Sequence, residues 1–131
     1  MIMMEEFVTY DIALKLKEKG FREKCLHHYN NNGILKENYS KCYCSANNIF
    51  TDNTVDAPTI SQVLKWLRNE KELYVLIDFC RYNINKELCW VYSIRDLKGD
   101  SIYILPDGCK KCRSYEEAAL AGIEFVLDNL M

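Results

Sequence analysis

Cys109-Lys110-Lys111-Cys112 follows directly on Pro106-Asp107-Gly108, and a second pair of thiols stands at Cys42-Tyr43-Cys44. Four thiolates can close a tetrahedral zinc site, and a C-x-x-C after a glycine turn suits a zinc knuckle. The C-x-C pair suits it less well, because residues two apart on a strand point to one face and lack the knuckle's turn. The ordinary use of such residues is packing, with Cys42, Cys80 and Cys89 as small interior side chains and Cys109 and Cys112 as loop thiols. A redox role for Cys109 and Cys112 is the second reading of the pair. Cys112 stands just before a helix cap at Ser114, where a helix N-terminus lowers a thiol's pKa. The β-α-β setting of thioredoxin-like motifs is missing here.

Cysteine hydrolysis would bring a thiol, a histidine and an orienting group together. The histidines are His27 and His28. Cys25 and His27 would share one face of an early strand, but side chains two apart run parallel and make a poor dyad, so structural or surface histidines are expected. Asp78 and Cys80 share a strand face in the same way, and there the expectation is a solvent-facing polar position. The chain has no phosphate-binding glycine loop, no H-E-x-x-H helix and no nucleophile elbow, and its 5 glycines are few for a tight ligand cradle. These absences argue against an enzyme.

The aromatic load is the remaining chemical signal: 9 Tyr, 5 Phe and 2 Trp, with Tyr29, Tyr39, Tyr43, Tyr74, Tyr82 and Tyr103 in or beside predicted strands. Tyrosine joins a large apolar surface to a polar tip, which serves half-buried sheet packing first and recognition second. Trp66, Tyr74, Tyr82 and Tyr103 form the candidate binding surface.

Three helices and up to five strands would position these residues. Thr9 caps a helix over about Thr9 to Lys19 with Ile12, Ala13 and Leu16 on one face, and Gly20 supplies a left-handed stop that folds Phe21 back onto that face. Thr59 with Gln62 reads as a capping box opening a helix whose stripe is Ile60, Val63, Leu64 and Leu67, with Trp66 on its flank. Ser114 with Glu117 opens the last helix, which turns Ala119, Gly122, Ile123, Val126 and Leu130 inward and is broadened by Leu120 and Leu127, leaving Glu117, Glu124 and Asp128 wet. Gly122 costs about 1 kcal/mol of helix propensity against Ala, which points to close approach to a sheet.

Leu73 to Cys80 reads as a central strand, Leu88 to Asp96 alternates as a second, and the Lys98-Gly99-Asp100 turn leads to a third at Ser101 to Leu105. Their short connections require an antiparallel meander. Lys24 to Tyr29 and Tyr39 to Cys44 would add a hairpin, and Asn47 to Ala57 reads as a loop ahead of Pro58. The fold class is α+β: a single compact domain over residues 1–131, with about three helices packed on one side of a mostly antiparallel sheet of three to five strands.

A chain of 131 residues with 17 basic and 19 acidic side chains and a net charge of -2 has no global field for nucleic acid or an anionic membrane. No apolar run nears the roughly 18 residues that span a bilayer. Met1 to Phe7 lacks a basic n-region and a cleavage site, and the 7 cysteines are an odd count without a secretory signal, so a cytoplasmic protein with free thiols is expected.

T-Y-D-I-A-L-K-L-K-E-K-G-F at Thr9 to Phe21, C-L-H-H-Y at Cys25 to Tyr29, P-T-I-S-Q-V-L-K-W-L-R at Pro58 to Arg68 and S-Y-E-E-A-A-L-A-G-I-E at Ser114 to Glu124 carry a resemblance. Together these blocks resemble a family of small uncharacterised proteins encoded in Bacteroidales genomes and their phages or mobile elements. They are spread over nearly the whole chain. The resemblance implies an origin and a single-domain build, and it brings no activity, cofactor or catalytic residue with it. Its shared pattern leaves out C-Y-C and C-K-K-C, which weighs against zinc.

The favoured reading is a small non-enzymatic binding or regulatory protein of phage or mobile-element origin, contacting a host or phage protein or a small ligand. Two alternatives stand beside it. One is a zinc-stabilised module using Cys42, Cys44, Cys109 and Cys112, and the other is a thiol-dependent enzyme.

Overall fold

The computed structural model describes residues 6–38, 54–82, 87–96, 101–103 and 112–131, with the backbone alone at 80–82, 87–88 and 101–103. In chain order these form α1 (Tyr10–Glu18), β1 (His27–Tyr29), β2 (Leu35–Glu37), β3 (Val55–Asp56), α2 (Ile60–Glu70), β4 (Leu73–Tyr82), β5 (Glu87–Asp96), β6 (Ser101–Tyr103) and α3 (Tyr115–Asn129). The fold is α+β and every described strand pair is antiparallel, as the sequence leads one to expect. The strands divide into two sheets, β2-β1-β3 and β4-β5-β6. Two compact units result, Met1–Ser61 with Met131 and Gln62–Leu130, and the division falls inside α2.

In the first unit the Thr9 hydroxyl accepts from the Ile12 N–H at 3.3 Å and starts α1, which buries Ile12, Ala13 and Leu16. The helix ends as Gly20 requires. At φ +94° it lets the Phe21 N–H reach the Leu16 carbonyl (2.9 Å) while its own N–H reaches that of Lys17 (3.2 Å), and Phe21 is wholly buried. The chain then enters β1, the central strand, which pairs with β2 over His27↔Glu37 to Tyr29↔Leu35 and with β3 over His28↔Asp56 and Tyr29↔Val55.

Two expectations are corrected here. The partner of β1 is Leu35–Glu37, a strand exposed at all three residues, so no apolar alternation marks it in the sequence. The expected partner, Tyr39 to Cys44, lies outside the described residues. The supposed loop up to Ala57 contains a strand, because Val55 and Asp56, each 1% exposed, close the other edge of β1. A two-residue strand holding a buried aspartate has no readable period.

In the second unit β4 and β5 pair without interruption from Leu73↔Asp96 to Tyr82↔Glu87. Beyond them, β6 pairs at Ile94↔Tyr103 across an irregularity, and Cys112 makes an isolated bridge to Trp90 on the same edge of β5. α3 lies over one face of β4 and β5. A Cβ built on Gly122 would stand 2.6 Å from Val75 Cγ1 and 3.2 Å from Tyr92 Cγ, so the glycine is there because the helix meets the sheet without room for a methyl group. Ala118, Ala119, Ile123, Val126 and Leu127 are buried along the same helix. Val75, Ile77 and Phe79 of β4 share this face with Trp90, Tyr92 and Ile94 of β5 by strand alternation and register.

Candidate functional site

The α3 face of the second sheet changes character along its length. At Ile94 (0% exposed) and Tyr92 (8%) it is closed, with the Tyr92 and Phe125 rings 6.3 Å apart. Towards the Tyr82 end of β4 it opens, because α3 begins only at Tyr115. There Phe79 packs on Trp90 with centroids 4.8 Å apart, and Trp90 meets Tyr115 edge-on at 5.8 Å and 87°. Phe79 is 53% exposed and Tyr115 42%. Three contiguous rings, two of them wet, make the most concentrated exposed aromatic surface among the described residues.

Local structure fixes each ring. The Ser114 hydroxyl accepts from the Glu117 N–H at 3.0 Å, and the Glu117 carboxylate accepts from the Arg113 N–H at 3.1 Å, one residue outside the expected reciprocal bond. That cap sets Tyr115 in the first turn of α3. Trp90 is held by its backbone, which donates to the Cys112 carbonyl at 2.9 Å and accepts from the Cys112 N–H at 3.3 Å. Phe79 faces Trp90 through the register.

A second cluster, polar and covered, lies in the first unit. Asn38, 3% exposed, donates from Nδ2 to the Cys25 carbonyl at 2.7 Å, so its Oδ1 accepts from His28 Nδ1, also at 2.7 Å. That bond requires a proton on His28 Nδ1. A cysteine, a histidine and an asparagine thus come together, but Cys25 is wholly buried and its Sγ donates to the Glu23 carbonyl at 3.5 Å. The thiol has no path to a substrate. His27 packs against Phe7 with centroids 4.7 Å apart and the rings tilted by 58°, and the Tyr29 hydroxyl donates to the Val8 carbonyl. Burial pushes the Tyr29 phenol up from its ordinary value of 10.0.

The sequence-derived candidates fare differently. Trp66 is only 6% exposed, with the Lys71 ammonium 5.3 Å from its ring centre, so it belongs to the buried side of α2 and presents no open surface. An apolar ring beside a helix stripe is drawn in with it. Tyr74 is half-buried on the sheet face that α3 leaves, while the side chains of Tyr82 and Tyr103 lie outside the described residues. Cys42, Cys44 and Cys109 lie outside them too. Cys112 is 2% exposed, which denies it the access that thiol chemistry needs. Among the described residues no three of His, Cys, Asp and Glu gather as a metal group, and no helix is long and apolar enough to cross a membrane.

Sequence reasoning selected tyrosines by type and passed over Phe79 and Tyr115. The usable signal was positional: strand alternation sets Phe79 on the side of Val75, and Tyr115 follows the cap. Compared with known proteins, the chain matches no family model, no curated protein and no solved structure.

Proposed function

We propose that this protein is a non-enzymatic binding protein that engages another protein through Phe79, Trp90 and Tyr115. The observation that carries the reading is the exposure of the two outer rings, 53% and 42%, around a tryptophan that contacts both. Large aromatic side chains held rigidly by backbone structure lose little entropy on docking and supply the anchors that dominate interface energetics. A phage or mobile-element gene of a Bacteroidales host is the proposed source, on the strength of the four sequence blocks. The cytoplasm is the proposed compartment, which fits Cys25, Cys89 and Cys112 standing outside any disulfide.

The test is affinity capture from a Bacteroidales lysate, run in parallel with the wild-type chain and with a Phe79→Ser/Tyr115→Ser variant of unchanged circular dichroism. A partner held by the wild type and at least about thirtyfold more weakly by the variant, the effect of about 2 kcal/mol at a hot spot, supports the reading. Equal capture by both chains, or capture by neither, removes it.

A further inference from the structure

We infer that the outer edge of β4 pairs with the same edge of a second copy of this chain, antiparallel about a two-fold axis at Leu76, so that two three-stranded sheets run on as one. Among the described residues β4 pairs with β5 on one side and with no strand on the other. Trp90 exchanges its backbone hydrogen bonds with Cys112, away from β4. By alternation Val91 and Ser93 turn theirs towards β4, as do their partners Asp78 and Leu76. Leu73, Val75, Ile77 and Phe79 therefore aim their N–H and C=O groups outward.

A row of outward backbone groups is a template for another strand, and chains that stay single block it with lysine, proline or a bulge. L-Y-V-L-I-D-F at Leu73 to Phe79 holds neither lysine nor proline, and Asp78 is its one charge. Its ladder with β5 runs without a bulge. Leu76, on the face turned away from α3, is 39% exposed. The segment is thus apolar, regular and open, which suits main-chain pairing with another strand.

Charge selects a second copy as the occupant and fixes the register. An axis at Asp78 would oppose two carboxylates, one at Val75 would set Asp78 against Glu72, and one at Ile77 would set it against Leu76. With the axis at Leu76, that leucine meets itself in a non-hydrogen-bonded pair, where side chains come closest. Val75 then exchanges backbone bonds with Ile77 of the second copy, and Leu73 with Phe79. Asp78 stands across from Tyr74 of the second copy, and the next residue along that row is Arg95, which opposes Tyr74 in its own sheet. Two strand spacings, about 10 Å, separate Asp78 from that arginine at the backbone. Arg95 is exposed and long enough to approach across the tyrosine, so unlike charges face each other on both sides of the axis. The contact is self-complementary, as a two-fold dimer requires. It belongs to the strand edge and stands whether or not the aromatic rings hold another protein.

Sedimentation equilibrium of the full chain over about a hundredfold range of concentration should show a dimer that dissociates on dilution. Leu76→Asp and Leu76→Lys, each with the circular dichroism of the wild type, should dimerise at least about tenfold more weakly, because like charges then meet at the axis. An equimolar mixture of the two variants should recover the dimer. Amide exchange in the wild type gives a second readout, which stands even if a variant does not fold. Protection of the Val75 and Ile77 amides should rise with concentration, while Tyr74 and Asp78, bonded to β5, stay protected throughout. A wild-type chain that is monomeric at every concentration, single variants that dimerise as well as wild type, a mixture no better than either variant alone, or a dimer in which Val75 and Ile77 exchange as fast as in the monomer would each overturn the inference.

Discussion

β4 and β5 meet over ten successive residue pairs, whereas β1 meets β2 over three and β3 over two. The long ladder satisfies its own backbone and leaves side chains for apolar work, Tyr92 and Ile94 under α3 and Phe79 in solvent. The short ladders end before their backbone is satisfied, and polar side chains complete them. Asn38 ties His28 to the Cys25 carbonyl, and the Asn30 carboxamide oxygen accepts from Asn32 N–H (2.9 Å) and Ile34 N–H (3.0 Å) across the turn. Gly33 closes that turn at φ +75°, with the Tyr10 ring where a Cβ would sit at 3.1 Å. Both units bury apolar side chains, and the first adds side-chain hydrogen bonds whose loss leaves buried groups unmatched.

The largest effect should come from filling the contact between α3 and the sheet. Gly122→Val places a Cβ against Val75 and adds two methyl groups, and should cost about 3 kcal/mol in urea denaturation. Gly122→Ala decides the matter more sharply, because helix propensity alone would stabilise it by about 1 kcal/mol. A Gly122→Ala chain more stable than wild type would break the apolar half of the contrast.

The polar half is tested by Asn38→Ala, which removes an acceptor from His28 and a donor from Cys25 at a site 3% exposed. A loss of about 2 kcal/mol is expected. Amide exchange should accelerate most in β1 and β2. Equal acceleration along β4 and β5 would blur the distinction between the units.

Tyr29→Phe should cost about 1 kcal/mol at neutral pH, the worth of one hydrogen bond to the Val8 carbonyl. Its pH behaviour follows from burial, which raises the phenol above 10.0. Below that pH folded and unfolded chains both keep the proton, and the contribution of Tyr29 is complete. As pH rises through the folded value it is lost, since the unfolded chain gives up the proton first. Denaturation midpoints at pH 8 to 11 should therefore fall less steeply for Tyr29→Phe than for wild type.

The same contrast explains what could be read from the sequence. L-Y-V-L-I-D-F-C is a β-rich run, Leu88 to Asp96 alternates, and Ser114 with Glu117 announces α3, so most of the second unit was legible, down to the reason for Gly122. In the first unit α1 and its Gly20-Phe21 ending were legible, because a cap and a stop are local signals. β2 and β3 were not, since their pairing depends on Asn38 reaching His28 and Cys25, and on Val55 and Asp56 finding β1, all distant in sequence. Trp66 looked like a surface residue only while its helix was judged alone. The aromatic surface escaped for another reason: exposure at Phe79 and Tyr115 depends on where α3 starts relative to the sheet, which no single segment records.

The smallest stability effect should fall on that surface. Phe79 and Tyr115 are 53% and 42% exposed, so each serine substitution removes contacts with one neighbouring ring and little buried area. Changes within about 0.5 kcal/mol are expected for each. Trp90→Ala should behave differently, because that ring touches both others and its strand is fixed on either side by β4 and Cys112. A cost of about 2 kcal/mol or more for Trp90→Ala, beside near-neutral outer rings, would mark a rigid platform presenting removable anchors. If Phe79→Ser proves as costly as Trp90→Ala, the outer ring is part of the core. The exposed aromatic end of the second sheet would then be packing, and the assignment of this end to binding would fail on stability alone, before any partner is sought.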